Sequence, residues 1–179
     1  MSAGNQAWGE ALSATSTDAG SVRRLGERRL QLTSDAELRN LTAGDIADPG
    51  ERTWLFVEHD ATEAAWAQGN SVVLDDTAVG AYHGELTDAA SPSATSVLGL
   101  AQFAWAATVR RWGYVGRSGP FEALSDGTID AYEAVTATNN IAAGRVAGVA
   151  FGASTDAHIG IALEAAIDGA LATVVLDLE

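Results

Sequence analysis

The chain has 179 residues, with 24 acidic against 10 basic side chains and a formal net charge of −14. This length fits one domain, or one domain with an arm, and is sufficient to fold without a metal or a disulfide. The acidic balance argues against a nucleic-acid-binding surface, which must neutralise phosphates. Cysteine is absent, so disulfides, thiolate nucleophiles and cysteine metal sites are excluded.

Residues 1–22 are predicted to form a flexible N-terminal arm, followed by a single β-rich domain over 23–179. The arm is small and polar, and Trp8 and Leu12 are its large apolar side chains beyond Met1. Such a segment buries too little surface to offset its ordering entropy. Trp8 is either an anchor for a partner or part of a solvated tail. We expect no targeting segment and no membrane partner, because no long apolar run is present.

A cationic stretch follows the arm. Arg23, Arg24, Arg28 and Arg29 account for four of the ten basic residues, and the chain has no lysine. In such an acidic chain this is the main charge asymmetry. The stretch either docks on an acidic neighbouring surface or forms a strand or turn whose arginines pair with the chain's own carboxylates.

Short β segments separated by turn signals dominate the sequence from residue 53 onward. Segment 53–59 is rich in aromatic and β-branched residues, and its alternation predicts a strand buried on both faces. One face carries Trp54 and Phe56, and the other carries Leu55 and Val57. Further strands are predicted at 71–76, 112–120 (ending in a turn), 127–136, 144–152, 158–166 and 170–178.

Two segments have other predicted structures. Residues 61–69 are compatible with one or two helical turns, and residues 77–96 with a long loop or irregular hairpin. Segment 96–112 fits either a helix or a strand, and Gly99 favours a strand over 97–103. The overall prediction is a mainly β fold, a compact β-barrel or β-sandwich of short antiparallel strands.

A weak internal repeat runs through the predicted strands. In 67–75, 142–150 and 168–177 a glycine turn leads into a valine-rich strand. We interpret this as repeated hairpin chemistry rather than as a solenoid.

No catalytic constellation of recognisable spacing is present. His59, His83 and His158 are far apart in sequence and do not have metal-ligand spacing. Two short-range pairs, His59-Asp60 and Asp156 with His158, are compatible with a metal or an oriented imidazole, but such pairs are common at strand ends.

Other candidate sites also lack the required pattern. Asp75 and Asp76 lack the alternating oxygen ligands of a calcium loop. The spacing around Ser118 differs from that of a nucleophile elbow. The five tryptophans are candidates for a sugar site, or for core and interface anchors. We therefore predict a structural or binding protein without catalytic, cofactor or metal residues.

Four segments of the C-terminal half follow one another in a distinctive order: VLGLAQFA (97–104), WGYVGRSG (112–119), a turn-led strand at 127–136, and the closing hairpin IGIALEAAIDGALATVVLDL (159–178). With this order of segments, the C-terminal half resembles the capsid decoration (cement) proteins of tailed bacteriophages. Segment 52–73 is similar to an earlier strand and turn of that family. The N-terminal region departs from the family pattern.

The resemblance implies a non-enzymatic virion protein that binds the outer surface of the assembled capsid and stabilises it. Its implied partners are the major capsid protein and further copies of the chain, as a trimer. We expect capsid or subunit contacts through Trp8, Arg23, Arg24, Arg28 and Arg29. The alternatives are another virion component, such as a tail, baseplate or head-fibre base, and a small ligand-binding or carbohydrate-binding β-barrel.

Overall fold

The computed structural model describes residues 25–31, 52–75, 82–87, 96–137, 142–149 and 158–178. Within these ranges the chain forms ten β-strands and no α-helix. The described residues therefore contain no helix that could cross a membrane. The strands are β1 (Arg28–Gln31), β2 (Arg52–His59), β3 (Ser71–Leu74), β4 (His83–Leu86), β5 (Val97–Leu100), β6 (Arg111–Leu124), β7 (Ala134–Thr136), β8 (Ala147–Val149), β9 (His158–Ala162) and β10 (Leu171–Asp177).

Five strands close into a barrel, which confirms the predicted mainly β fold. Its strands follow the order β2-β4-β3-β5-β6, and β6 pairs back to β2. The second half of the molecule, here called the C-terminal sheet, continues in the order β6-β10-β9-β7-β8. Strand β1 pairs with β2 beside the barrel wall. The barrel and the C-terminal sheet therefore share one strand, β6.

Strand β2 has the predicted two buried faces. Leu55 and Val57 point into the barrel, where they pack with apolar side chains from the other barrel strands. Trp54 and Phe56 point the other way and join a larger core that includes the inner face of the C-terminal sheet. The alternation arises because successive side chains of a strand point to opposite faces.

The prediction that the strand at 112–120 ends in a turn is wrong. Strand β6 runs for 14 residues to Leu124 and pairs with β10 from Ser118 onward. Gly119 has φ +101°, and a side chain at Gly116 would overlap the ring of Phe121. Gly116 thus leaves room for the Phe121 ring, and Gly119 adopts a backbone conformation that other residues rarely take. Pairing with β10 keeps the strand continuous through Pro120.

Two other local predictions need correction. Residues 61–69 form turns rather than helical turns, and Trp66 forms an antiparallel bridge with Trp105. The predicted strand at 127–136 is reduced to β7, since Ile129 forms a bridge with Ala166 and turns precede β7.

Two segments for which the sequence left alternatives open contain strands. In the segment predicted as a long loop or irregular hairpin, β4 pairs antiparallel with β3. The preferred strand at 97–103 is a strand over Val97–Leu100.

The internal repeat predicted from the sequence is confirmed as one turn geometry used three times. Gly69, Gly144 and Gly169 have φ values of +82°, +72° and +73°. In each turn the residue after the glycine donates its N–H to the carbonyl three residues earlier: Asn70 to Ala67 (3.2 Å), Arg145 to Ala142 (3.0 Å) and Ala170 to Ile167 (3.0 Å). The positive φ explains the glycine at each position.

The barrel and the C-terminal sheet contain the same pair of strand–loop–strand units. In the barrel, Trp66 and Trp105 exchange backbone hydrogen bonds of 3.0 and 2.8 Å; in the sheet, Ile129 and Ala166 do so at 2.9 and 2.9 Å. The register agrees as well. Ser71 lies opposite Leu100, just as Leu171 lies opposite Leu124. Strands β3 and β5 thus correspond to β10 and the end of β6.

Candidate interaction surface

The candidate pair His59-Asp60 is not brought together by the fold. His59 is fully buried; its Nε2 lies 2.8 Å from the carbonyl oxygen of Ala64 and its ring lies 4.7 Å from that of Trp66. Asp60 points to the surface, where it binds Arg110 at 2.7 Å. The two side chains have separate structural roles.

A buried carboxylate beside this pair has its charge paired in the barrel wall. Glu58 is 2% exposed, accepts a hydrogen bond of 3.0 Å from Trp112 Nε1, and forms an ion pair of 3.0 Å with Arg110 Nε. Arg110 also donates to Asp60. This hydrogen bond, with that of the Thr62 N–H, lowers the pKa of Asp60 to about 2, and in turn raises the pKa of Arg110. One arginine therefore holds two carboxylates.

The remaining candidate chemical groups are dispersed. His83 Nδ1 is 3.7 Å from Glu58 Oε1, and His158 is exposed at the start of β9. Asp75 is buried, while Asp76 and Asp156 lie outside the described residues. Ser118 pairs with Thr53 and Asp177 inside β6. Among the described residues no three His, Asp or Glu side chains form a group that could hold a metal ion.

Four of the five tryptophans lie in the described part of the chain, and all four are buried. Trp66 and Trp105 pack against each other inside the barrel, 4.7 Å between ring centroids, and Trp54 packs edge-on against Phe121 at 4.8 Å. They are core side chains, as one of the two interpretations predicted. No described tryptophan offers an exposed ring on which a sugar could stack.

Only two of the five predicted contact residues can be placed. Trp8, Arg23 and Arg24 lie outside the described residues. Arg28 and Arg29 are neighbours on β1 and point to opposite sides. Arg29 forms an ion pair of 2.7 Å with Glu27 and lies over the ring of Tyr114 at 5.3 Å, whereas Arg28 is exposed.

Arg28 lies on an outward strip of β1 together with Leu30, which is 49% exposed. Alternate residues of a strand share a face, so the two side chains lie side by side. Burial lowers the pKa of the Arg117 guanidinium, and the like charge of nearby Arg28 lowers it further. We call Arg28 and Leu30 the β1 strip. It combines a cationic and an apolar group.

An apolar surface that the sequence analysis did not identify covers the outer side of the C-terminal sheet. Ile161 and Val175 lie opposite each other on β9 and β10 and are 42% and 37% exposed. Leu163 and Leu171 are exposed beside them. We call these four side chains the outer face. The signal for it was the apolar residue at nearly every position of 170–178, where a half-buried strand would alternate with polar residues.

Carboxylates border the outer face. The Thr173 hydroxyl lies 2.8 Å from Glu164 Oε1 and 3.2 Å from Glu122 Oε1, and its single proton can serve only one of them at a time. Burial, together with the nearby charge of Glu164, raises the pKa of Glu122 although the Thr173 hydrogen bond opposes this. The outer face is therefore apolar in its centre and acidic at its border.

Comparisons with known proteins connect this geometry with a solved structure. No protein-family model and no curated protein sequence matches the chain. The chain is similar in structure to the head fiber gp8.5 N base of bacteriophage phi29, with a TM-score of 0.50 and 14% identity, over 69% of this chain and 94% of that chain. At this identity the likeness establishes a shared fold.

Proposed function

We propose that this chain is a structural protein of a tailed-phage virion that binds the outside of the assembled capsid and stabilises it. The observation that carries the proposal is the fold shared with a phage head-fiber base across 94% of that chain. The sequence resemblance to capsid decoration proteins points to the same location by an independent route.

The distribution of polar groups supports a binding role rather than catalysis. Glu58, His59, Asp60 and Arg110 bind one another or the backbone near them. Their interactions stabilise the barrel wall and leave no adjacent pair of acid and base facing an open cleft. By contrast, the outer face presents several exposed apolar side chains, which is typical of a protein–protein contact.

A base for a head fibre is the second candidate function, and the structural neighbour favours it specifically. A decoration protein and a fibre base both attach to the shell, but only the fibre base carries a fibre that projects from it. A reconstruction of the virion from which the gene derives distinguishes them: a decoration protein ends in a compact knob, while a fibre base continues into an elongated projection. Absence of this chain from the head surface would contradict both.

We further propose that residues 1–30 reach across the shell and that the chain binds it as a trimer. Many weak contacts per particle then give avidity. The test is binding of the full chain and of a variant lacking residues 1–20 to shells that lack the protein. Reduced occupancy by the shortened variant is expected, and Trp8→Ala should reproduce part of the loss. Unchanged occupancy would reject the role of the arm.

Stabilisation of the shell is measured separately from binding. Heating particles with and without the bound chain and following release of their DNA with an intercalating dye gives a release temperature for each. We expect a higher release temperature for decorated particles. Equal temperatures at full occupancy would support the fibre-base function, which requires attachment but not reinforcement.

A further inference from the structure

The outer face differs from its counterpart in the barrel in that nothing in the described chain covers it. Ser71 and Val73 on β3 correspond to Leu171 and Thr173 on β10. Both β3 residues are buried, whereas Leu171 is 39% exposed. Burial of apolar area is favourable by about 25 cal/mol per Å². An uncovered apolar strand pair of this kind therefore favours association.

The acidic border limits what can cover the outer face. Two copies packed outer face to outer face would bring Glu122 and Glu164 of one copy close to the same residues of the other. Like charges at a contact are unfavourable, particularly when they are partly desolvated. A surface that complements the outer face must carry a cationic group next to an apolar one.

The β1 strip has this composition. Arg28 is exposed, and the half-exposed Leu30 lies beside it on the same face of the strand. Among the described strands, β1 pairs with β2. In a chain of net charge −14, the stretch around Arg28 is the complement that the acidic border of the outer face requires.

We infer that the outer face of one copy binds the β1 strip of a second copy of this chain. Ile161 and Val175 would contact Leu30, and Glu164 would pair with Arg28. Because the two surfaces are different, the contact is head-to-tail and extends either to a closed ring or to an open chain. The inference deepens the self-association in the proposed function by naming its surfaces, and it does not depend on capsid binding.

The apolar half of the contact is tested with the purified full chain by sedimentation velocity over a range of micromolar concentrations. Wild-type chain should sediment as an oligomer. Combining Ile161→Thr with Val175→Thr should weaken association by about tenfold or more. Leu74→Thr is the matched control, since Leu74 is also 39% exposed but lies on β3, and it should associate as wild type.

The charged half is tested by reversal and rescue. Arg28→Glu and Glu164→Arg should each weaken association, and the double variant should restore it because the pair is re-formed with opposite signs. Added salt should weaken the wild-type contact. Arg28 is exposed, so Arg28→Glu is expected to fold even if the threonine variants do not.

Three outcomes would overturn the inference: a monomeric wild-type chain at every concentration, association unaffected by the threonine substitutions in a folded variant, or charge reversals that fail to rescue each other. A strong effect of the threonine variants without any effect of Arg28→Glu would indicate face-to-face pairing instead. A monomeric chain that still binds shells would leave the proposed function intact, so the two failures are distinguishable.

Discussion

The barrel and the C-terminal sheet are built from the same loop and turn geometry but are buried differently. Strand β3 in the barrel has buried residues on both sides, while corresponding strand β10 alternates between buried Ala172 and Val174 and exposed Leu171 and Val175. The first three residues of β3 are buried because further chain packs against the outside of the barrel there, whereas the open sheet leaves one side of β10 exposed. The same loop and turn geometry therefore leads into core in one half and into a candidate contact surface in the other.

The ion pairs of the two halves also differ in how deeply their carboxylates are buried. In the barrel, Arg110 bridges the half-buried Asp60 and the fully buried Glu58. Arg145, beside the C-terminal sheet, binds the 68% exposed Asp168 at 2.7 Å and lies 3.8 Å from the half-buried Asp126, so neither of its partners is fully buried. Buried partners cannot recover their lost hydration from water, while exposed partners can. We expect the free energy of unfolding to depend more on the barrel.

The largest contrast is expected from matched glycine substitutions. A Cβ at Gly99 would overlap the carbonyl oxygen of Gly116, and a Cβ at Gly160 would overlap that of Val175. Gly99 also has φ +156°. Strand β5 is held inside the closed barrel, whereas β9 lies in an open sheet that can shift. Gly99→Ala should reduce the free energy of unfolding by about 3 kcal/mol or more, and Gly160→Ala by less, as measured by urea denaturation. A reversed order would contradict the comparison.

The second contrast concerns the arginines. Arg110→Ala leaves the buried Glu58 without its cation and should cost about 2 kcal/mol or more. Arg145→Ala, the matched control in the C-terminal sheet, should cost at most about 1 kcal/mol. Arg110→Lys should lie between Arg110→Ala and wild type because the charge is retained. Equal losses in the free energy of unfolding for the two alanine variants would show that the burial of Glu58 does not increase the cost of removing its arginine.

The Arg110 pairing also predicts a pH dependence. The pKa of Asp60 is lowered to about 2 in the folded chain, against about 3.9 when unfolded. Its contribution is therefore fully present above about pH 4 and is lost as the pH falls through about 2. In Arg110→Ala the pKa of Asp60 should rise toward its unfolded value, measured by NMR titration of the carboxyl carbon. An unchanged titration would exclude Arg110 as the cause.

The smallest effect is expected at the border of the outer face. Because the pKa of Glu122 is raised in the folded chain, wild-type stability is full below the unfolded value of about 4.3 and declines as the pH rises through the folded value. Glu122→Gln removes this decline and should raise the melting temperature slightly at pH 7 and not at pH 3.5. A gain at both pH values would point to packing rather than to charge.

Local patterning was sufficient to predict the fold class and several elements. The alternation around Trp54 and Leu55 predicted a strand with two buried faces, and Gly69 and Gly169 predicted turns, because both signals depend on neighbours within a few residues. The exact path of β6 could not be predicted in this way. Its extension past Pro120 depends on pairing with Val175, more than fifty positions away along the chain.

The candidate surface was predicted in part. The charge asymmetry identified Arg28, because four arginines stand out in an acidic chain. It could not separate Arg28 from Arg29, since only the pairing of β1 with β2 directs Arg29 toward Glu27 and Tyr114 and Arg28 outward. The outer face was missed because Leu171 and Val175 look like core residues until the order of the strands is known.

The shared strand has a mechanical consequence. Strands β6 and β10 run antiparallel through seven register pairs, from Leu171 with Leu124 to Asp177 with Ser118. Tension that draws β10 along its own axis, away from β6, would load these hydrogen bonds together, in shear, instead of opening them one by one. Since the other end of β6 is held in the barrel by β2, such a load would pass from the C-terminal sheet directly into the barrel wall.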